Sequence, residues 1–311
     1  MLEYPLVSVA IPAYKSSFLR QAIDSVLAQT FSDWELIIVN DASPEPVSEI
    51  VNGYEDSRIR YYINETNLGM ENPAMNWNRC LSYAKGEFFC LLCDDDIFAP
   101  EFIETMLGLS SKYPDVGVFR SRAMAIDQNG KLLDFYPSSP EYESAINYMI
   151  DMGNGMRKQT ISEFMYRTDF IRRHGEYANL PKAMCADHLT IYRLGMAGGI
   201  ASSIKPLVSF RLSNINLSGK GQDNKNIKEK LTANNLFVEE VGKLVSSIGD
   251  KQISNMIINK HKEKFAKANV IVISCASMSV LLFLLRHKKK YKITIPLLIK
   301  GVMLKFKKVI E

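Results

Sequence analysis

This 311-residue chain has no glycine cradle for phosphate. It contains no G-x-x-x-x-G-K-[ST], no G-x-G-x-x-G after its first apolar run and no G-x-S-x-G. A P-loop, a dinucleotide fingerprint and a nucleophile elbow are therefore excluded. Cysteine is sparse and unpaired: Cys80, Cys90, Cys93, Cys185 and Cys275 are five in number, and no second pair answers Cys90-x-x-Cys93. They are expected to be buried small hydrophobes in a reducing compartment. No internal repeat is present, and the chain enters a strand pattern almost at once, so no signal peptide is expected. Acid is scarce in one region only. Residues 251–311 carry 14 Lys+Arg against 2 Asp+Glu, whereas the remainder carries 24 against 32. A basic tail on an acidic body points to an anionic surface as the tail's partner, and no nucleic-acid partner is expected.

The 47% hydrophobic content excludes disorder and allows one large α/β domain with an appendage. Leu6–Ile11, Glu35–Asn40, Ile59–Asn64 and Glu87–Cys93 are apolar strand patterns. Between them lie helical patterns from Phe18 to Leu27 (behind a Ser16-Ser17 cap) and over Pro73–Lys85. This alternation predicts a parallel sheet covered on both faces, with ligands bound outside the carboxyl ends of its strands. Tyr14, Asp41 and Asp94 follow three of those ends. Further on, Val116–Asp127 and Lys131–Tyr136 flank Asn129-Gly130 as a hairpin. A helix is expected over Glu141–Met152, a strand near Ser162–Arg167, a helix over His188–Met196 and a strand over Ile204–Leu212. Ser213–Asn226 is a polar linker or loop, and the chain beyond it is helical.

The strand before Leu91-Leu92-Cys93-Asp94-Asp95-Asp96 ends in three consecutive carboxylates. Like charges at the end of a buried strand are costly unless a cation shares them. All-oxygen ligation suits Mg²⁺ or Mn²⁺ holding a diphosphate. The competing reading is a solvated acidic turn that caps the helix beginning near Pro100.

Four segments in order, Val7–Tyr14, Ile37–Ser43, Asn67-Leu68-Gly69 and Ala84–Glu87 running into Asp94–Asp96, make residues 5–215 resemble a family 2 glycosyltransferase of the GT-A fold. The resemblance implies a Rossmann-like, mainly parallel central sheet with flanking helices. It also implies transfer of a sugar from a nucleotide-diphosphate sugar to a hydroxyl of a glycan or lipid-linked glycan, in bacterial surface polysaccharide synthesis. Carried over, Pro12 and Tyr14 lie under the base and ribose, and Asp41 accepts from the base. Asn67 and Asn78 reach the nucleotide, Asp94 lies nearer the ribose, and Asp95 and Asp96 hold the metal. Cys93 replaces the usual first acid of the family's D-x-D. Asp187 matches the family's general base, although Ala186 stands where an acid usually precedes it; its other reading is a cap for the helix from His188. Arg211 is a diphosphate contact or a structural ion pair, and Trp77 a core aromatic. A sugar nucleotidyltransferase and a non-catalytic nucleotide-sugar-binding module are the alternatives.

Residues 1–220 are thus expected to form the catalytic domain and 221–311 a helical, basic region. Ala268–Leu285 is 18 residues without a charge, followed by Arg286-His287-Lys288-Lys289-Lys290. That is the lower limit for a span. Ile293–Val309 mixes apolar residues with lysines as an interfacial helix does. Peripheral attachment to the inner face of the membrane, in the cytoplasm, is expected over a true span.

Overall fold

A computed structural model of the chain describes residues 4–70, 72–213 and 224–310. The elements in order are β1 (Val7–Ala13), α1 (Leu19–Leu27), β2 (Trp34–Asn40), α2 (Val47–Val51), β3 (Ile59–Ile63), α3 (Pro73–Tyr83), β4 (Phe88–Leu91), β5 (Ile97–Phe98) and α4 (Phe102–Lys112). There follow β6 (Val118–Ile126), β7 (Leu132–Phe135), β8 (Tyr142–Glu143), α5 (Ala145–Gly153), β9 (Phe164–Arg167), α6 (Thr168–Arg173), α7 (Ala186–Gly195) and β10 (Ile200–Arg211). Four helices complete the chain: α8 (Asn224–Val245), α9 (Lys251–Ser274), α10 (Met278–Arg286) and α11 (Ile295–Ile310).

The strands form one sheet in the order β3-β2-β1-β4-β9-β6-β10-β5, with β7 on β6 and β8 on β10. Every residue of β2 is buried, as a strand covered on both faces requires. Period-two alternation divides the core. Ala10, Ile37 and Val39 face α3, α5 and α7, whereas Val9, Ile11, Leu36 and Ile38 face α1 and α4. β1 runs parallel to β2 and β4, and β2 to β3, so the carboxyl ends of β1, β2 and β4 share one edge of the sheet. Beyond β4 the sheet is mixed, because β9 runs antiparallel to both β4 and β6.

Several local expectations shift. Ser16 does not cap α1; its hydroxyl donates to Glu45 at 2.8 Å, and the helix starts later, at Leu19. The helix expected from Glu141 begins at Ala145, because Tyr142-Glu143 pairs with β10 and Ser144 takes the cap. The final strand starts at Ile200 and shifts register around Pro206, which has no N–H to donate. The 220/221 boundary and most of Ser213–Asn226 lie outside the described residues.

Beyond that segment the chain is helical, and its first two helices share the core on one face of the sheet. Phe237, Val241 and Val245 of α8 and Ile257 of α9 join the cluster that contains Tyr148 and Tyr192. Lys264 donates to the Met152 carbonyl at 2.7 Å. The uncharged stretch 268–285 is broken at residues 275–277, between α9 and α10. Among the described residues no helix is long and apolar enough to cross a membrane.

His261 of α9 is buried between Tyr192 and Phe237. Its Nδ1 lies 2.9 Å from the Ile257 carbonyl, which can only accept, so Nδ1 carries the proton and Nε2 accepts from the Tyr192 hydroxyl at 2.9 Å. Burial pushes this imidazole down to about 4. The unfolded chain takes up that proton near pH 6.5 and the folded one does not. The stability involved is therefore complete above 6.5 and is lost as pH falls towards 4, by about 3 kcal/mol at most. Denaturant melts at pH 7 and pH 5 should show a smaller pH-dependent loss in His261→Gln than in the parent chain.

Candidate active site

The acids at the end of β4 are buried and individually partnered. Asp94 Oδ2 accepts the backbone N–H groups of Tyr14 and Lys15, at 2.8 and 2.7 Å. Because β1 and β4 are parallel neighbours, this clamps the turn after β1 onto the acidic end of β4. The Lys15 ammonium lies 3.3 Å from Asp95 Oδ2. Asp96, fully buried, accepts from the Ser162 hydroxyl at 2.6 Å and from the Arg211 backbone N–H at 3.0 Å. The solvated-turn reading therefore fails: a capping acid would be hydrated, and these are enclosed.

Burial and the adjacent Asp95 push Asp94 up to about 6, and the same two causes push Asp96 well above the carboxylate range. Burial alone would depress the Lys15 ammonium, but Asp95 and Asp94 raise it. The Arg211 guanidinium also interacts with Asp95 and Asp96, so two cations face the three carboxyls. Ligand atoms of Cys93, Asp95 and Asp96 lie within 4.8 Å of one another. Burial, with Asp96 and Asp95 adding to it, drives the Cys93 thiol well up, so it stays protonated and is a poor partner for a hard cation. The donor set that fits Mg²⁺ or Mn²⁺ is then the carboxylate oxygens of Asp95 and Asp96.

Asp41 closes the neighbouring strand end. Its Oδ1 accepts from Asn64 Nδ2 at 2.8 Å and from the Leu68 N–H at 2.9 Å, and its Oδ2 accepts from the Gly69 N–H at 2.7 Å. A Cβ on Gly69 would sit 2.8 Å from that oxygen, which accounts for the glycine of Asn67-Leu68-Gly69. Asn67 closes the turn by accepting from the Met70 N–H at 2.6 Å. Asn64 also donates to Asn76 at 3.0 Å. Pro12 is on β1 two residues before Tyr14, and the Tyr14 ring is partly exposed. Asn78 on α3 donates through its amide to the Tyr177 carbonyl at 3.1 Å, and its side-chain carbonyl accepts the Tyr177 N–H at 2.9 Å. Arg211 is structural, bonded to the carbonyls of Asp95, Asp127 and Gln128 and to Gln21, with its guanidinium over Phe18.

Asp187 lies in the first turn of α7, but the cap position is Cys185, so the capping role does not apply. Its carboxylate accepts from Gln159 Nε2 at 3.0 Å and lies 3.0 Å from His188 Nδ1. Tyr148 in turn donates to Gln159 at 2.7 Å, which fixes the amide's orientation. Burial would raise this carboxyl, but His188 and the Gln159 bond hold it below its ordinary value. Lys182, Ala183 and Cys185 before it, and Ala42 after Asp41, all take left-handed φ values of 50–60°. Strain of this kind in non-glycine residues concentrates at functional sites. Lys15, Ser162, Gln159 and Asn64 were not anticipated, because nothing in their local sequence marks them. Their partners lie far away along the chain.

Residues 8–173 match the family described as Glycosyl transferase family 2. The chain belongs to that family. Members of that family are described as glycosyl transferases. Relatives include an uncharacterized glycosyltransferase of Rickettsia typhi, 36% identical over 141 residues (44% of this chain, 42% of that protein). Another, from Methanocaldococcus jannaschii, is 30% identical over 153 residues (47% and 52%). The matched region spans about half the length of these relatives. Among solved structures, S. aureus TarS 1–349 in complex with UDP-GlcNAc aligns with a TM-score of 0.67 at 17% identity, over 89% of this chain and 83% of that one. The mannosyltransferase PcManGT of Pyrobaculum calidifontis, in complex with GDP-Man and Mn²⁺, aligns at 0.56 and 13%, over 98% and 88%. At those identities the likeness concerns the fold, which is GT-A.

Three hydrogen bonds end on the Asp41 carboxylate, so this side chain should matter to stability in its own right. Asp41→Ala is expected to lose about 2–3 kcal/mol in denaturant titration and to open the 67–70 turn to proteolysis. A side chain that served only the nucleotide would leave both readouts unchanged.

Proposed function

We propose that this glycosyltransferase takes its sugar from a nucleoside diphosphate sugar and inverts the anomeric centre. Residues 1–220 would act as the catalytic domain, and the product would enter a bacterial surface polysaccharide. The observation that carries this is the enclosed group of three carboxyls joined through Asp94 to the turn after β1. Such a group calls for a cation and a diphosphate rather than water. The bound nucleotide sugars of TarS and PcManGT agree with it. In this reading Pro12, Tyr14, Asp41, Asn67 and Asp94 line the nucleotide, and Asp95 and Asp96 would hold Mg²⁺ or Mn²⁺. A cation held by Asp95 and Asp96 would neutralise charge on the departing diphosphate.

Asp187 supplies the base. An acceptor hydroxyl is a poor nucleophile while protonated. The Asp187 carboxylate, ionised at neutral pH, takes its proton as the oxygen bonds to the anomeric carbon. The bond from that carbon to the diphosphate breaks, and the nucleoside diphosphate departs with the electron pair. Gln159 and His188 keep the carboxylate oriented throughout. We also place the protein at the inner face of the cell membrane, where lipid-linked glycan acceptors reside.

Asp187→Asn is expected to lower kcat at least about 100-fold with little change in donor KM. Turnover within a few-fold of the parent would remove Asp187 from the base role. Chelation should abolish transfer, added Mn²⁺ should restore it, and Asp95→Ala should resist that rescue. Full activity in chelator would overturn the metal assignment.

A further inference from the structure

The peripheral attachment proposed above leaves open which surface meets the membrane. α10 exposes Met278, Leu282 and Leu285, spaced i, i+4, i+7. α11 exposes Ile295, Ile299, Met303 and Phe306, spaced i, i+4, i+8, i+11. These seven side chains are 47–66% exposed. The opposite faces are already occupied: Val280, Leu281, Leu284 and Leu298 are buried with Ile273 of α9. Gly301 lets α11 approach α9 so closely that an added Cβ would sit 2.5 Å from the Ile273 side chain. The outward stripes therefore cannot roll inward to hide themselves.

Charge surrounds the apolar stripes. From Lys264 to Ile310 there are eleven Lys and Arg residues and no Asp or Glu. Arg286, Lys288, Lys289, Lys290 and Lys300 pair with no carboxylate among the described residues, whereas Lys292 is paired with Glu239. Between the two helices lies a cleft of about 500 Å³. Lys288, Lys289 and Lys292 line one part of it, and Ile293, Ile295 and Pro296 another. An apolar wall beside clustered ammonium groups matches a phospholipid, whose phosphate meets the lysines while its chains meet the stripe. A second copy of the chain would bring an equally basic face against this one.

We infer that the outward faces of α10 and α11, with the lysine cleft between them, form an in-plane docking plate for an anionic phospholipid bilayer. This deepens the peripheral reading and rests on it. Vesicle co-sedimentation of the full chain tests both. The parent chain should sediment with phosphatidylcholine vesicles containing phosphatidylglycerol, less so as salt rises, and not with phosphatidylcholine alone. Leu282→Glu/Ile299→Glu and Lys288→Glu/Lys289→Glu should each lower binding at least about tenfold, whereas Leu133→Glu, on exposed β7, should not. An unchanged thermal transition certifies the fold; if the glutamates abolish it, Leu282→Ser/Ile299→Ser replace them. No binding by the parent chain overturns the peripheral reading itself. Equal binding by parent and both double variants overturns the plate alone. Displacement by inorganic phosphate at matched ionic strength would make the cleft a site for a soluble anion. Loss of a dimer on stripe substitution, with vesicle binding intact, would make the occupant a second copy. Either result overturns the lipid assignment.

Discussion

Three carboxylates buried in a row at the end of β4 set the central constraint on this molecule. Ionised acids cannot leave water unless something else solvates them. Here each has a different source of compensation: backbone N–H groups after β1 for Asp94, an ammonium for Asp95, and a hydroxyl with the N–H of Arg211 for Asp96. The acids therefore organise their surroundings. Through them β4 is tied to the turn after β1, to the short helical turn at Ile161–Glu163 and to the end of β10. The last strand reaches the acids from more than a hundred residues away, and the same Arg211 guanidinium binds three carbonyls there.

A second buried charge supports this arrangement from below. Arg120 of β6 and Glu163 lie 2.6 Å apart and are both enclosed. Arg120 also donates to Ser139 and to the Lys158 carbonyl. Breaking such a pair leaves an uncompensated charge, a larger loss than the pair contributes when intact. Because Glu163 follows Ser162, the pair fixes the turn whose hydroxyl serves Asp96. Gln159, three residues before Ser162, meets Asp187. One short segment, 158–163, thus connects the acids of β4 with the residue assigned as base.

Much of this was legible in the chain because its signals are local. Apolar runs that end in polar residues located β1, β2 and β4, and parallel pairing then put Tyr14, Asp41 and Asp94 on one edge. The helices over Pro73–Tyr83 and Ala186–Gly195 followed from spacing. Whatever depends on tertiary partners was not legible. Ser16 had the composition of a cap, but Glu45 took its hydroxyl. Nothing around Asn78 marked that its amide would bond the Tyr177 backbone, 99 residues away. The packing of α8 and α9 into the core beneath the sheet was hidden for the same reason. Only the fold brings Phe237 and His261 against Tyr192, and that contact supports the helix bearing Asp187.

The departure at Cys93 follows from the same electrostatics. A carboxylate at that position would be a fourth acid within reach of Asp95 and Asp96, where Asp94 and Asp96 are already driven up by burial and by their neighbour. Lys15 and the Arg211 guanidinium already face the three carboxyls there, so a fourth would be pushed towards its protonated form. A protonated thiol adds nothing to that load. Its backbone N–H instead donates to Ser162 at 3.1 Å, whose hydroxyl then donates to Asp96. The substitution adds no carboxyl at 93, and Asp95 stands beside the Lys15 ammonium. Lys15 therefore belongs to the same adjustment as Cys93: one removes a charge, the other supplies its opposite.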